Sequence, residues 1–135
     1  MYLFDTDVLS NAVKPRPLES LINRLSQIPR SLQFTTSISV AEIYYGAHRI
    51  GTGDELVRAY EERVFPRLNI LPFDVESAKI FGRLKASLEK RGQTRSEPDL
   101  QIAAIALQYR LILVTGNDKH FRKIPKLRVE NWMRP

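Results

Sequence analysis

Four acidic residues stand where a parallel sheet would present chemistry. Asp5 ends the apolar run Tyr2-Leu3-Phe4 and opens the triplet Asp5-Thr6-Asp7. Asp118 closes Thr115-Gly116-Asn117-Asp118, directly after the apolar run Leu111-Ile112-Leu113-Val114. Asp99 begins an apolar helical stretch just ahead of that run, and Glu42 lies in the first turns of a helix that follows Leu32–Thr36. Ligands of an open parallel sheet bind beyond the carboxyl ends of its strands, so these side chains are expected at one edge. Clustered carboxylates repel one another and persist when a cation holds them. Oxygen-only donors, with no cysteine in the chain and both histidines (His48 and His120) outside the set, select hard ions: Mg²⁺, Mn²⁺ or Ca²⁺. The remainder of the chain is basic, with 21 Lys plus Arg against 15 Asp plus Glu and a formal net charge of +6. Such a surface favours a polyanion. An acidic, ion-holding edge on a basic protein points to phosphodiester chemistry, in which the ion polarises the phosphate and activates water.

Each residue also has a structural reading. Asp5-Thr6-Asp7 suits a turn and helix cap. Ser96-x-x-Asp99 has capping-box spacing, with Asp in place of the longer Glu. Glu42 has small neighbours at helical spacing, Ser39 and Gly46, and suits either solvent or an open cleft. Asp118 suits turn chemistry. Joint placement at one edge is what favours a site. His120, beside a basic segment, reads as a surface residue, and His48 as a complement to its helix dipole. Two basic stretches offer phosphate contacts: Lys119, Arg122, Lys123, Lys126, Arg128 and Arg134, and ahead of Asp99 the group Lys90, Arg91 and Arg95.

Elements that alternate between two periods must position these groups. Leu18, Leu21, Ile22, Leu25 and Ile28 form a helical stripe after Pro17. Val40, Ile43, Tyr44 and Ala47 form another, with Ser37 or Ser39 as its cap. Helices are further predicted over 54–64, 75–90 and from Ser96 to Tyr109, and strands over 2–4, 32–36, 69–71, 111–114 and 127–129; Asp5-Thr6-Asp7 reads as loop. Alternating strands and helices with right-handed crossovers predict an α/β fold: a three-layer α/β/α sandwich around a mostly parallel sheet. The length of 135 residues, without repeat or linker, predicts a single domain over 1–135. Absence of cysteine excludes disulfide scaffolds, thiolate metal sites and a cysteine nucleophile. No apolar run reaches membrane-spanning length, and the start lacks the pattern of a secretory signal, so a cytoplasmic protein is expected.

Several segments carry a resemblance. Tyr2–Ser10 resembles the opening of PIN-domain ribonucleases, most closely the VapC toxins of toxin–antitoxin pairs. Ser39-Val40-Ala41-Glu42-Ile43-Tyr44-Tyr45-Gly46-Ala47 resembles their second motif, Asp99-Leu100-Gln101-Ile102-Ala103-Ala104 the third, and Leu113–Phe121 with Ile124-Pro125 and Leu127–Trp132 the closing segment. The four motifs stand in order over essentially the whole chain. The resemblance implies an endoribonuclease dependent on Mg²⁺ or Mn²⁺ that acts as a toxin, leaves 5′-phosphate products, pairs with a small VapB-like antitoxin and forms a homodimer. It assigns metal binding to Asp5, Glu42 and Asp99, with a fourth position near Asn117 and Asp118; Asp118 is expected to supply the charge and Asn117 a hydrogen bond. Thr6 and Thr115 are expected to steady the ligands or the phosphate. Position 7 is commonly Asn in the family, and Asp7 adds negative charge beside the metal.

Two other readings fit parts of the same pattern. Asp5-x-Asp7 after an apolar strand also resembles haloacid-dehalogenase-type phosphatases, with Asp5 as nucleophile and Asp7 as general acid. That class needs more chain and a later Lys ahead of an acidic pair, which this sequence does not place. A non-catalytic basic α/β module that binds RNA or an acidic partner would use the same carboxylates only as turn caps.

Overall fold

The computed structural model describes residues 1–134. Five short strands build one sheet: β1 (Tyr2–Phe4), β2 (Gln33–Thr36), β3 (Asn69–Leu71), β4 (Ile112–Val114) and β5 (Val129–Glu130). Their order is β3-β2-β1-β4-β5 and every pairing is parallel. The six α-helices among the described residues are α1 (Thr6–Ala12), α2 (Glu19–Ser26), α3 (Ser37–His48), α4 (Gly53–Ala59), α5 (Val75–Lys90) and α6 (Glu97–Tyr109). The expected α/β/α architecture is what the structure shows.

Strand alternation explains the layers. Successive residues of β1 point to opposite faces, so Leu3 joins Leu88, Leu100, Ala103 and Leu113 on the face covered by α5 and α6. Phe4 joins Val8, Leu9, Leu21, Val114 and Trp132 on the face covered by α1 and α2. Strands buried on both faces read as continuous apolar runs, as Leu111–Val114 does.

Three details differ from the expected elements. Residues read as a loop after β1 form α1, because Asp5 caps it: its carboxylate accepts the Thr6 N–H at 2.8 Å. The helix expected over 54–64 is α4 followed by a π turn at Tyr60–Val64 and a 3₁₀ turn containing Pro66, since proline cannot continue the ladder of hydrogen bonds. The last strand lies at Val129–Glu130, later than expected, with Arg128 pairing through its carbonyl to the Leu113 N–H. The topology places β1 and β4 side by side at the centre, so the loops after them share one edge. α3 starts immediately after β2 at the same edge. No helix among the described residues is long and apolar enough to cross a membrane.

Candidate active site

Asp5 is the centre of this edge. It follows β1 and is 6 % exposed. Its Oδ1 accepts the Thr6 N–H, and its Oδ2 accepts the Thr115 hydroxyl at 2.8 Å. Thr115 is fully buried at the end of β4 and holds its own loop by accepting the Asn117 N–H at 3.0 Å. Burial pushes the Asp5 carboxyl up to about 6, the charge of Asp7 pushes the same way, and Asp99 adds to both, against the two hydrogen bonds. Removing water from a carboxylate and placing like charges beside it both penalise ionisation.

Asp7 stands in the first turn of α1. Its Oδ2 accepts the Gly116 N–H at 2.9 Å. A Cβ at Gly116 would lie 2.7 Å from that oxygen, so a larger residue there would have to push the Asp7 carboxylate aside. Its Oδ1 is buried without any hydrogen-bond partner. Burial raises the Asp7 carboxyl, with a further contribution from Asp99.

Asp99 lies in the first turn of α6, whose cap is Ser96: the Ser96 hydroxyl accepts the Asp99 N–H at 3.3 Å. The backbone satisfies the cap, which leaves the Asp99 carboxylate for the site. Its Oδ2 is 3.4 Å from His120 Nδ1. Glu42, exposed on α3, joins through Thr6, whose hydroxyl donates to Glu42 Oε1 at 2.7 Å. Asn117 contributes backbone contacts and an exposed side chain.

Asp118 is placed differently from its expected role. It is buried, and both oxygens are taken: Arg122 binds Oδ2, while Arg134 at 3.0 Å and Asn131 at 3.2 Å bind Oδ1. Burial works against its charge, but the Asn131 hydrogen bond and the two guanidinium groups prevail and hold the carboxyl below its ordinary value. Asp118 thus ties the C-terminal segment to the loop after β4. The same pairs remove Arg122 and Arg134 from the cations free to meet phosphate.

Sequence reasoning named Arg95 as a phosphate contact and His120 as a surface residue, but not the contacts that join them to this edge. His120 is exposed, as expected, and its Nδ1 lies 3.4 Å from Asp99 Oδ2; Arg95 Nε donates to the His120 carbonyl at 2.7 Å and fixes that turn. The available signal was position: His120 falls in the same loop after β4 as Thr115 and Asn117.

The donor set suits a hard divalent cation. All of its ligating atoms are carboxylate or hydroxyl oxygens, one buried Asp7 oxygen lacks a partner, and the Asp5 charge is opposed by neighbouring acids that a cation would neutralise. Among the described residues no three acidic or histidine side chains are already closed around one point.

Comparison with known proteins agrees with this fold. The PIN domain family model matches residues 2–127. Ribonuclease VapC2 of Haemophilus influenzae is 37 % identical over 132 residues, covering 98 % of each chain. A tRNA(fMet)-specific endonuclease VapC of Salmonella typhimurium is 30 % identical over 131 residues, covering 97 % of each. The crystal structure of VapBC2 from Rickettsia felis bound to a promoter DNA fragment superposes with a TM-score of 0.89 at 30 % identity, covering 97 % of this chain and 98 % of that one. With its parallel sheet, its acidic edge and these relatives, the chain belongs to the PIN-domain family, among the VapC ribonucleases.

Proposed function

We propose that this chain is a Mg²⁺- or Mn²⁺-dependent endoribonuclease acting as the toxin of a toxin–antitoxin pair. The observation that carries the reading is the attachment of three acids, distant in sequence, to one loop at the carboxyl edge of the sheet: Asp5 is tied to Thr115, Asp7 to the Gly116 N–H, and Asp99 stands 3.4 Å from His120. We assign the ion to Asp5 and Asp99, with Glu42 joined through Thr6. Asp118, whose oxygens are bound to arginines, is given the task of holding the loop. When bound, the ion polarises the phosphate and makes water a better nucleophile.

The chain's own residues do the rest. Thr115 and the Thr6 N–H fix both oxygens of Asp5. Thr6 fixes Glu42. The Gly116 N–H orients Asp7 and leaves its other, buried oxygen without a partner. His120, held by Arg95, stands beside Asp99 where a phosphate oxygen can be met. Water attack requires no RNA 2′-hydroxyl; with the 3′ oxygen as leaving group, as the family resemblance implies, the phosphate stays on the 5′ end of the downstream product. The family match favours hydrolysis of a diester over a phosphatase that uses Asp5 as nucleophile.

We further propose an antitoxin partner and a homodimer. A groove of about 510 Å³ on the α1–α2 face is lined by Val8, Leu9, Val13, Ile22, Leu25 and Ile28, and suits an apolar helix. The Rickettsia felis relative is a toxin–antitoxin complex. Exposed Tyr45 on α3 and Val75 on α5 offer apolar surface to a second copy, and light scattering of the purified protein measures that association.

Incubating the Mn²⁺-supplemented protein with total RNA and mapping new 5′ ends tests the activity. Discrete 5′-phosphate ends are expected. Intact RNA alongside folded protein and bound ion would remove the ribonuclease reading.

A further inference from the structure

We propose that a cationic trough formed by α5, the end of α6 and the turn over 125–128 is a second RNA-binding site, which holds the substrate's phosphate backbone away from the scissile bond. The inference rests on the ribonuclease reading. The trough has a volume of about 620 Å³, and Arg83, Arg91, Arg110, Lys126 and Arg128 line it with no acidic residue among them. Its floor is aliphatic, from Leu84, Leu107, Leu111 and Leu127. Ile80, Arg83, Leu84, Ser87 and Arg91 recur at spacings of one helix face. At 1.5 Å per residue the trough therefore follows α5 for roughly 16 Å.

Two further observations support a ligand. Among the described residues, no carboxylate pairs with Arg83, Arg91, Arg110, Lys126 or Arg128; Arg91 donates only to the Ser87 hydroxyl. The only non-glycine residues of positive φ among the described ones are Arg110 (56°) and Lys126 (67°), and both line this trough. Left-handed backbone disfavours any residue with a Cβ, and the position after a helix usually goes to glycine. Turn geometry alone is better served by glycine at both places. What Arg and Lys add there is charge.

The reaction edge needs such help. Asp5, Asp7, Asp99 and Glu42 repel a polyanion, and Arg122 and Arg134 are spent on Asp118. Asp99 opens α6 and Arg110 follows its end, so that helix separates edge and trough by roughly 16 Å, a span of a few nucleotides. Four guanidinium groups over an aliphatic floor accept both phosphates and the flat faces of unpaired bases.

The test compares wild type with Arg83→Gln/Arg128→Gln, two exposed positions, after confirming an unchanged melting temperature. Anisotropy of a fluorescein-labelled single-stranded RNA is measured in EDTA across a salt series. The double variant is expected to bind about tenfold more weakly, and its slope of log Kd against log salt to shrink by about 1.4, at about 0.7 per phosphate contact for single strands. Unchanged affinity and slope overturn the trough. Weakened binding of poly-L-glutamate with unchanged RNA binding overturns it in favour of an acidic protein. The binding readout needs no cleavage: a wild type that cuts RNA beside a variant of unaltered slope removes the trough alone. A wild type that binds RNA through these arginines without cutting it supports the trough and removes the nuclease reading.

Discussion

The Thr115 hydroxyl donates to Asp5 Oδ2 at 2.8 Å across 110 positions of sequence. The contact exists because β1 and β4 are parallel neighbours, with Phe4 opposite Val114. The Asp5 N–H donates to the Val114 carbonyl, so the pairing that builds the sheet also sets the site.

Removing that hydroxyl strands one oxygen of a buried carboxylate and the Asn117 N–H that Thr115 also accepts. Thr115→Val is expected to cost roughly 1–3 kcal/mol of stability, the usual penalty for unmade buried hydrogen bonds, and to slow RNA cleavage. Thr115→Ser should restore both. Urea unfolding and an RNA cleavage assay measure the two effects; a valine variant as stable and active as wild type removes Thr115 from the site.

Asp5 gives the pH dependence. Its carboxyl titrates at about 6 in the folded chain against 3.8 for the free group. Between those values the folded state holds the extra proton, so stability falls as pH rises through the window. The penalty approaches 3 kcal/mol on the order of 1.4 kcal/mol per unit. Asp5→Asn does not ionise. In EDTA at neutral pH it should be the more stable protein and inactive, and its stability should lack this fall between about pH 4 and 6. Urea unfolding across that range checks it, and an equal fall in both proteins contradicts the assignment.

Asp7 separates nuclease from phosphatase. Asp7→Asn keeps an oxygen for the Gly116 N–H and relieves a carboxyl already raised by burial and by Asp99. RNA cleavage should be retained within a fewfold. A complete loss of cleavage, or covalent labelling of Asp5 by a phosphate donor, favours the phosphatase mechanism.

Asp118→Asn should loosen the C-terminal segment. The folded-state carboxyl lies below its ordinary value, so its stabilisation is present above that value and disappears as pH falls through the folded one. The variant should melt lower than wild type at neutral pH, with the difference shrinking in acid. Equal melting at neutral pH would contradict the role given to its arginine pairs.

The layers were legible in the sequence because strands buried on both faces leave continuous apolar runs, as at Leu111–Val114, and helices leave stripes, as at Leu18–Ile28. The placement of Asp5, Asp99 and Glu42 at one edge of the sheet was legible from their positions after strands and at a helix start. α1 was not, because Asp5 serves as cap and site residue together, and a cap looks like a loop. The arginine and asparagine contacts of Asp118 were not legible because its partners Asn131 and Arg134 arrive from beyond β5, a return of the chain that no local pattern announces. The exposure of His120 was legible; its contact with Asp99, which crosses from the loop after β4 to the start of α6, was not.

The most direct measurement is calorimetric titration of chelator-stripped protein with Mn²⁺ at neutral pH. Wild type should bind the ion saturably, with binding lost in Asp5→Asn and Asp99→Asn and kept in Asp118→Asn. Folded wild type that takes up no Mn²⁺, or acidic variants that bind it as well as wild type, would contradict an ion held by these carboxylates.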